Sequence, residues 1–271
     1  SDNAELYIGN IDTTSPVITI NGSDSITTEA LEVYVDLGAT AVDDVAGEVE
    51  VTSTSSVNTS IIGTYTVTYT AIDTAGNTAT KARTVEVVDT TAPEITILGE
   101  NPITVEKGSD YSDIGATATD EVDGPIDVTS ISSVDSLTVG TYTVTYSAID
   151  LSNNEAIATR TVNVVDTTPP ETPIIETTSQ TVNADSINIE GTAEVGATIN
   201  ITGGAVTATG TVDVQGNFTV LVNLTQDVVN TLSVTAKDEA NNESNEATVV
   251  ITENTAPVAN GINIVTNEDT A

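Results

Sequence analysis

The side chains able to do chemistry in this chain are carboxylates. Its 271 residues hold 41 Asp plus Glu against 5 Lys plus Arg, a formal charge of −36, with no His and no Cys. Disulfides and thiolate sites are therefore excluded, and so are zinc and copper sites of the usual kind; hard oxygen ligands remain. The acids recur in fixed settings. Asp12, Asp89 and Asp166 each open an Asp-Thr-Thr-x-Pro segment, while Asp73, Asp150 and Asp238 open turns that close on Asn77, Asn154 and Asn242. Between them lie the acidic turns Asp43-Asp44 and Asp120-Glu121-Val122-Asp123. Such ligands suit Ca²⁺, which takes about six to eight oxygens in loose geometry, better than Mg²⁺, which demands a tight octahedron. Asp and Asn are equally at home in plain turns, where they bond their own backbone.

Other chemistry is poorly supplied. Nothing resembles a nucleophile elbow, a phosphate loop or a metalloprotease helix. Paired carboxylates could cleave glycosides only beside aromatic sugar platforms, and the chain has one Phe, seven Tyr and no Trp. The expectation is that it is not an enzyme. The charge repels nucleic acid and anionic membranes, attracts cations, and keeps a monomeric segment soluble. No apolar run approaches a membrane helix in length.

The elements that must position these acids follow from a repeat. The joints at Asp12, Asp89 and Asp166 are spaced by 77 residues, and laying 12–88 over 89–165 without a gap makes 43 of 77 positions identical. Units of that length are whole domains with their own cores. The expected organisation is 1–11 as tag remnant and linker or end of a preceding domain, then domains at 12–88, 89–165 and 166–253. The last is divergent, and 254–271 is a linker and the start of a truncated fourth domain, so the chain reads as an excerpt. Thr and Val dominate and helical spacing is missing, so essentially no helix is expected.

In the first domain, Val17 to Ile20 reads as a strand turning at Asn21-Gly22. Apolar alternation follows over 31–42, with short strands around 48–52 and 55–61. In the strand over 64–72, Tyr65, Val67, Tyr69 and Ala71 share the core face and four Thr share the wet one. A turn at 73–77 and a return over 78–88 complete about seven strands, the pattern of a Greek-key sandwich with Tyr65 and Tyr142 at tyrosine-corner positions. The threonine ladder could be read as ice- or sugar-binding, but Thr is common on strand surfaces and a twisted sheet lacks the flatness of an ice plane. Asp36 and Asp113, at the same place in both repeats, are expected to make a bulge or a structural hydrogen bond.

The signatures Asp-Thr-Thr-Ala-Pro, Asp36-Leu37-Gly38-Ala39-Thr40-Ala41, Gly63-Thr64-Tyr65-Thr66-Val67-Thr68-Tyr69 and Asp-x-x-Gly-Asn resemble tandem bacterial immunoglobulin-like repeats of large surface and secreted adhesins. Gly191-Thr192-Ala193-Glu194 with Gly196-Ala197, Gly216-Asn217-Phe218 and Asp238 with Asn241-Asn242 resemble a second such group. The tail from Pro257 to Thr270 is similar to the opening of a cadherin-like repeat. The resemblance implies an all-β fold of three tandem Ig-like Greek-key sandwiches in an extended rod, a bacterial cell-surface or secreted location, and calcium stiffening between repeats.

In such a sandwich the start of the first strand, the loop after the second and the final hairpin lie at one pole. That collects Asp12, Asp43, Asp44, Asp73 and Asn77 in the first domain and Asp89, Asp120, Glu121, Asp123, Asp150 and Asn154 in the second. Asp166, Glu194, Asp238 and Asn242 are the thinner set of the third. Converging carboxylates repel unless a cation sits among them. The functional expectation is a stalk segment of an adhesin, with Ca²⁺ and the neighbouring repeats as its partners and calcium at the joints coupling folding and rigidity to export. The competing readings are a glycan- or protein-binding module, with the third domain the better candidate, and an accessory region of a large secreted hydrolase.

Overall fold

A computed structural model of the chain describes residues 11–254. The tag remnant, the linker or strand expected before Ile11, and the truncated fourth domain beyond Asn254 lie outside the described residues. Among the described residues every regular element is a strand. The chain divides into two compact units. One holds the described residues up to Ile103 with Tyr111–Asp135 and Thr141–Asn163; the other holds Thr104–Asp110, Ser136–Gly140 and the described residues from Val164 on.

The first sandwich, within the first unit, has seven strands: β1 (Val17–Ile20), β2 (Ser25–Glu29), β3 (Ala39–Asp43), β4 (Gly47–Val49), β5 (Val51–Ser55), β6 (Gly63–Ile72) and β7 (Thr78–Val88). They form the sheets β1-β3-β4 and β2-β7-β6-β5, with β2 running parallel to β7. The chain crosses from one sheet to the other at Glu50, the single residue between β4 and β5. Period-2 patterning decides the faces: Val67, Tyr69 and Ala71 of β6 and Val85 of β7 pack on Ile18, Ile20 and Ala41. Burying each of these Val and Ile side chains stabilises by about 1.5–3 kcal/mol. The expected tyrosine corner is present, Tyr65 Oη donating to the Ile61 carbonyl at 2.7 Å.

Two local expectations fail. Residues 56–62 are loop, because Asn58 turns the chain by accepting from Ser60 N at 3.1 Å and Tyr65 holds Ile61 down. The alternation over 31–42 becomes strand only from Ala39, and its apolar members Val33, Val35 and Leu37 face solvent. The inward positions belong to Tyr34 and Asp36, which serve a buried guanidinium. Arg83, 1% exposed, lies on the core face of β7; it pairs with Asp36 and donates Nε to the Ser23 carbonyl at 3.0 Å. Tyr69 Oη reaches the same carboxylate at 2.5 Å and its ring lies 5.7 Å from the guanidinium carbon. Asp36 therefore makes the structural hydrogen bond expected of it.

The second repeat carries β8 (Glu94–Ile97), β9 (Ile103–Glu106), β10 (Ala116–Asp120), β11 (Gly124–Ile126), β12 (Val128–Ser132), β13 (Gly140–Ile149) and β14 (Glu155–Val165) in sheets β11-β10-β8 and β12-β13-β14-β9. Six of these start and end 77 residues after their counterparts. β9 starts one residue later: Thr84 N donates to the Asp24 carbonyl at the start of β2, whereas its counterpart Thr161 N donates to the Asn101 side chain, Oδ1, at 2.9 Å. Arg160, Asp113 and Tyr146 repeat the buried network, with Arg160 Nε 2.8 Å from Asp113 Oδ1.

The third sandwich, in the second unit, comprises β15 (Ile174–Ile175), β16 (Gln180–Val182), β17 (Ser186–Thr192), β18 (Thr198–Thr202), β19 (Ala208–Thr211), β20 (Asn217–Asn223), β21 (Val229–Lys237) and β22 (Ala247–Glu253). Its sheets are β15-β17-β20 and β16-β22-β21-β18-β19, with β16 parallel to β22 as β2 is to β7. Its core is apolar, built around Ile189, Ile199, Phe218, Val220, Leu232 and Ile251. Phe218 and the Ile174 carbonyl come so near Gly191 that any Cβ there would collide with both.

Candidate metal centres

The Asp-x-x-[Gly/Asn]-Asn turn is built by its first side chain. Asp73 Oδ1 accepts from Ala75 N at 2.9 Å and Asn77 N at 2.8 Å. The fourth residue must take a left-handed backbone, supplied by Gly76 (φ 91°) in the first repeat and by Asn153 (φ 70°) and Asn241 (φ 74°) in the other two, the residue types that tolerate it. Asp213 makes the same turn with Gln215 N and Asn217 N, and it is exposed. The motif is thus a turn first, and only what surrounds it can make it more.

At the first pole Asp12, Asp43 and Asp73 bring carboxylate oxygens within 4.8 Å of one another. Asp43 ends β3, where its Oδ1 accepts from Val45 N and Ala46 N at 2.9 and 2.8 Å. Its Oδ2 is buried with no hydrogen-bond partner. The Thr14 hydroxyl stands 2.7 Å from Asp12 Oδ1 and 2.5 Å from Asp44 Oδ1, and its single hydrogen serves only one of them at a time. Asn77 Nδ2 donates to Asp73 Oδ2 at 2.7 Å and to the Asp12 carbonyl at 3.3 Å, fastening the hairpin to the segment that opens the domain.

The second pole is equivalent and more acidic. Asp89, Asp123 and Asp150 bring oxygens within 4.8 Å of one another. Asp120 Oδ1 accepts from Val122 N and Asp123 N, while Asp120 Oδ2 and Asp89 Oδ2 are buried without partners. Asn154 Nδ2 donates to Asp150 Oδ2 at 2.8 Å and to the Asp89 carbonyl at 3.2 Å. Burial pushes the Asp89 carboxyl up despite its bond from Thr91 N, and repulsion from Asp120, Asp150 and Glu29 adds to this. Burial acts the same way on Asp150 but is outweighed there by hydrogen bonds from Asn154 and the turn amides, which hold it below the usual carboxylate range. Glu121 is exposed in the turn, outside the group.

At the third pole Asn242 Nδ2 again links Asp238 Oδ2, at 2.8 Å, to the Asp166 carbonyl, at 3.0 Å. Glu194 is exposed in the turn after β17. Asp166 Oδ2 is occupied by Lys107 Nζ at 3.0 Å. The described residues thus bring together ten of the fifteen sequence-nominated ligands at the first two poles, with Asp44 joined through Thr14, whereas Glu121 and Glu194 stay apart.

Sequence reasoning missed the glutamates that clamp the joints. Glu29 accepts from Thr90 N at 2.6 Å and Thr90 Oγ1 at 3.0 Å; Glu106, 77 residues on, accepts from Thr167 N at 2.7 Å and from Thr168 N and Oγ1 at 3.1 and 2.9 Å. Their identity in both repeats was the available signal. The bonds from Thr90 to Glu29 and from Thr167 to Glu106 hold both carboxyls below the usual range.

Comparison with known proteins places these geometries in context. The family described as bacterial surface protein, Ig-like domain, matches residues 18–87 and 95–164, and the bacterial Ig domain matches 170–253. Hyalin of Strongylocentrotus purpuratus is 34% identical over 217 residues, 72% of this chain and 17% of hyalin. An 81.3 kDa protein of Acholeplasma phage L2 is 32% identical over 126 residues, 43% of this chain and 17% of that protein. The chain thus spans about a sixth of the length of each. Among solved structures, one of a 1.5-MDa bacterial ice-binding adhesin is similar at 18% identity and a TM-score of 0.34, covering 71% of this chain and 74% of that one. A tetra-tandem repeat from the extending region of a large adhesion protein matches at 20% and 0.34, covering 80% and 62%. Among the described residues no helix is long and apolar enough to cross a membrane, a statement that does not extend to strands.

Proposed function

Since this chain belongs to the bacterial surface protein Ig-like family, we propose that it is a stalk segment of a cell-surface or secreted adhesin, with Ca²⁺ at the poles of its first two sandwiches limiting bending between repeats. One observation carries the calcium reading: buried, unpartnered carboxylate oxygens on Asp43 and Asp89 sit within the two acid clusters, and a third, on Asp120, sits in the turn that carries Asp123. An unpaired buried charge is costly, and a hard cation with loose geometry offsets that cost. Asp12, Asp43 and Asp73 would hold the first ion, and Asp89, Asp120, Asp123 and Asp150 the second. Asn77 and Asn154 position the acids. Because Asp12 and Asp89 belong to the joints, an ion would fasten each joint to the domain it opens, leaving less slack than the clamp of Glu29 on Thr90 alone provides. The role is mechanical, and the segment works without catalysis.

Small-angle scattering and melting of the purified chain, in millimolar calcium and then in chelator, test this. The expected result is a lower melting temperature and a broader distribution of extensions in chelator. Identical curves in both would overturn the calcium reading and leave the fold assignment standing.

A further inference from the structure

Beside the glutamate clamp, the joint opening at Asp166 carries a charged side chain where the one opening at Asp89 carries a methyl. Ala30 and Lys107 follow the joint-clamping glutamates Glu29 and Glu106, 77 residues apart, and their backbones are placed alike: Ala30 N donates to the Val88 carbonyl and Lys107 N to the Val165 carbonyl, both at 2.7 Å. From that shared position Ala30 sends a buried methyl, and Lys107 sends an ammonium to Asp166 Oδ2 at 3.0 Å. The groove in which Lys107 lies is bordered by Asp166, Glu194 and Asp238, the three acids of the third pole. The hydrogen bond from Lys107 to Asp166 raises the lysine, and the nearby charges of Glu239 and Glu194 act in the same direction.

The third pole also lacks what marks the first two. Unpartnered buried oxygens are found at Asp43, Asp89 and Asp120 and at none of Asp166, Glu194 or Asp238. The buried Asp that ends β3 and β10 has no counterpart after β17, where Glu194 is exposed. Among the described residues no cation pairs with Asp89, Asp120, Asp123 or Asp150, whereas Lys107 pairs with Asp166.

We infer that the Lys107 ammonium takes the place of the metal at the Asp166 joint, so that this joint is closed by an internal ion pair and binds no divalent cation. This rests on the reading of the first two poles as calcium sites. The stalk segment then contains two kinds of joint: calcium-dependent ones opening at Asp12 and Asp89, and a calcium-independent one at Asp166 whose strength falls with ionic strength, since its pair is partly exposed.

Counting bound calcium by equilibrium dialysis in 0.15 M salt tests the assignment. The intact chain is expected to bind two ions, and Asp166→Asn to bind two as well. Lys107→Ala, which copies the residue already tolerated at position 30, is expected to gain a third and weaker ion at Asp166 and Asp238, weaker because this pole has no buried carboxylate like Asp43 or Asp120, and Asp166→Asn in that background to return the count to two. Loss of an ion on Asp166→Asn in the otherwise unchanged chain, or a count of two for Lys107→Ala, would overturn the inference while the calcium reading stands. A count of zero for the intact chain, unchanged by Asp89→Asn, would overturn the calcium reading itself and this inference with it.

Discussion

Asn154 Nδ2 reaches back 65 residues to donate to the carbonyl oxygen of Asp89 while also holding Asp150 Oδ2, so one amide sets the distance between the final hairpin and the segment that opens the domain. Asn77 with Asp12 and Asn242 with Asp166 repeat it. The clamp is shared by all three sandwiches, including the one whose acids face a lysine, so it belongs to the fold, and the two acid clusters are built upon it.

Asn154→Ala should therefore act twice. Losing these hydrogen bonds costs about 1–2 kcal/mol in denaturant unfolding without calcium. Because the amide orients ligands without supplying the charge, calcium affinity should also fall about 10–100-fold by titration calorimetry.

Asp89→Asn should change sign with calcium. Burial and neighbouring carboxylates disfavour the ionised form of Asp89, so neutralising it is expected to raise the melting temperature in chelator. In saturating calcium the same substitution removes a ligand and is expected to lower it. Calorimetric scans of both proteins in both buffers check the reversal.

Arg83 is the load on which the first core turns. Arg83→Met strands the Asp36 carboxylate and leaves the Ser23 carbonyl unpaired, and is expected to cost about 3–5 kcal/mol. Adding Asp36→Asn should recover part of that loss, and a double-mutant cycle by urea unfolding measures the coupling.

Acid should melt the two repeats through the same carboxylates. Burial pushes Asp36 and Asp113 up, but the Tyr69 and Tyr146 hydroxyls, the Gly38 and Gly115 amides, Tyr34, Tyr111 and the buried arginines outweigh it and hold both below the usual range. A depressed carboxyl stabilises the fold where it is ionised in both states, and the gain disappears as pH falls through its folded-state value. Stability of the first unit should thus be flat near neutrality and decline below about pH 4. Asp36→Asn should flatten that decline, as followed by circular dichroism. On the alkaline side Tyr69, pushed up to about 12 by burial and by Asp36, should titrate late in an absorbance titration.

Much of the fold was legible because strand sequences state their own faces. The alternation in 64–72 placed Val67, Tyr69 and Ala71 inward, and the 77-residue offset carried that assignment to the second repeat. The turns were legible from Asp, Gly and Asn alone. What was hidden depends on partners distant in sequence. Arg83 stands at core parity between Ala79 and Val85, but charge normally signals solvent, and only Asp36 and Tyr69, 47 and 14 positions away, explain its burial. The inward turn of Tyr34 and Asp36 then reverses the expected faces of 31–37. At the poles, the sequence nominated segments that the fold brings together but could not rank them: Asp213 has the same turn motif as Asp73, and the difference lies in which neighbouring carboxylates surround each turn.

Anomalous scattering from crystals grown in millimolar calcium tests the central claim most directly. Calcium peaks are predicted among Asp12, Asp43 and Asp73 and among Asp89, Asp120, Asp123 and Asp150, each with Asp43 Oδ2 or Asp89 Oδ2 at coordination distance. Well-ordered density in which those oxygens meet only water or protein donors would contradict the account.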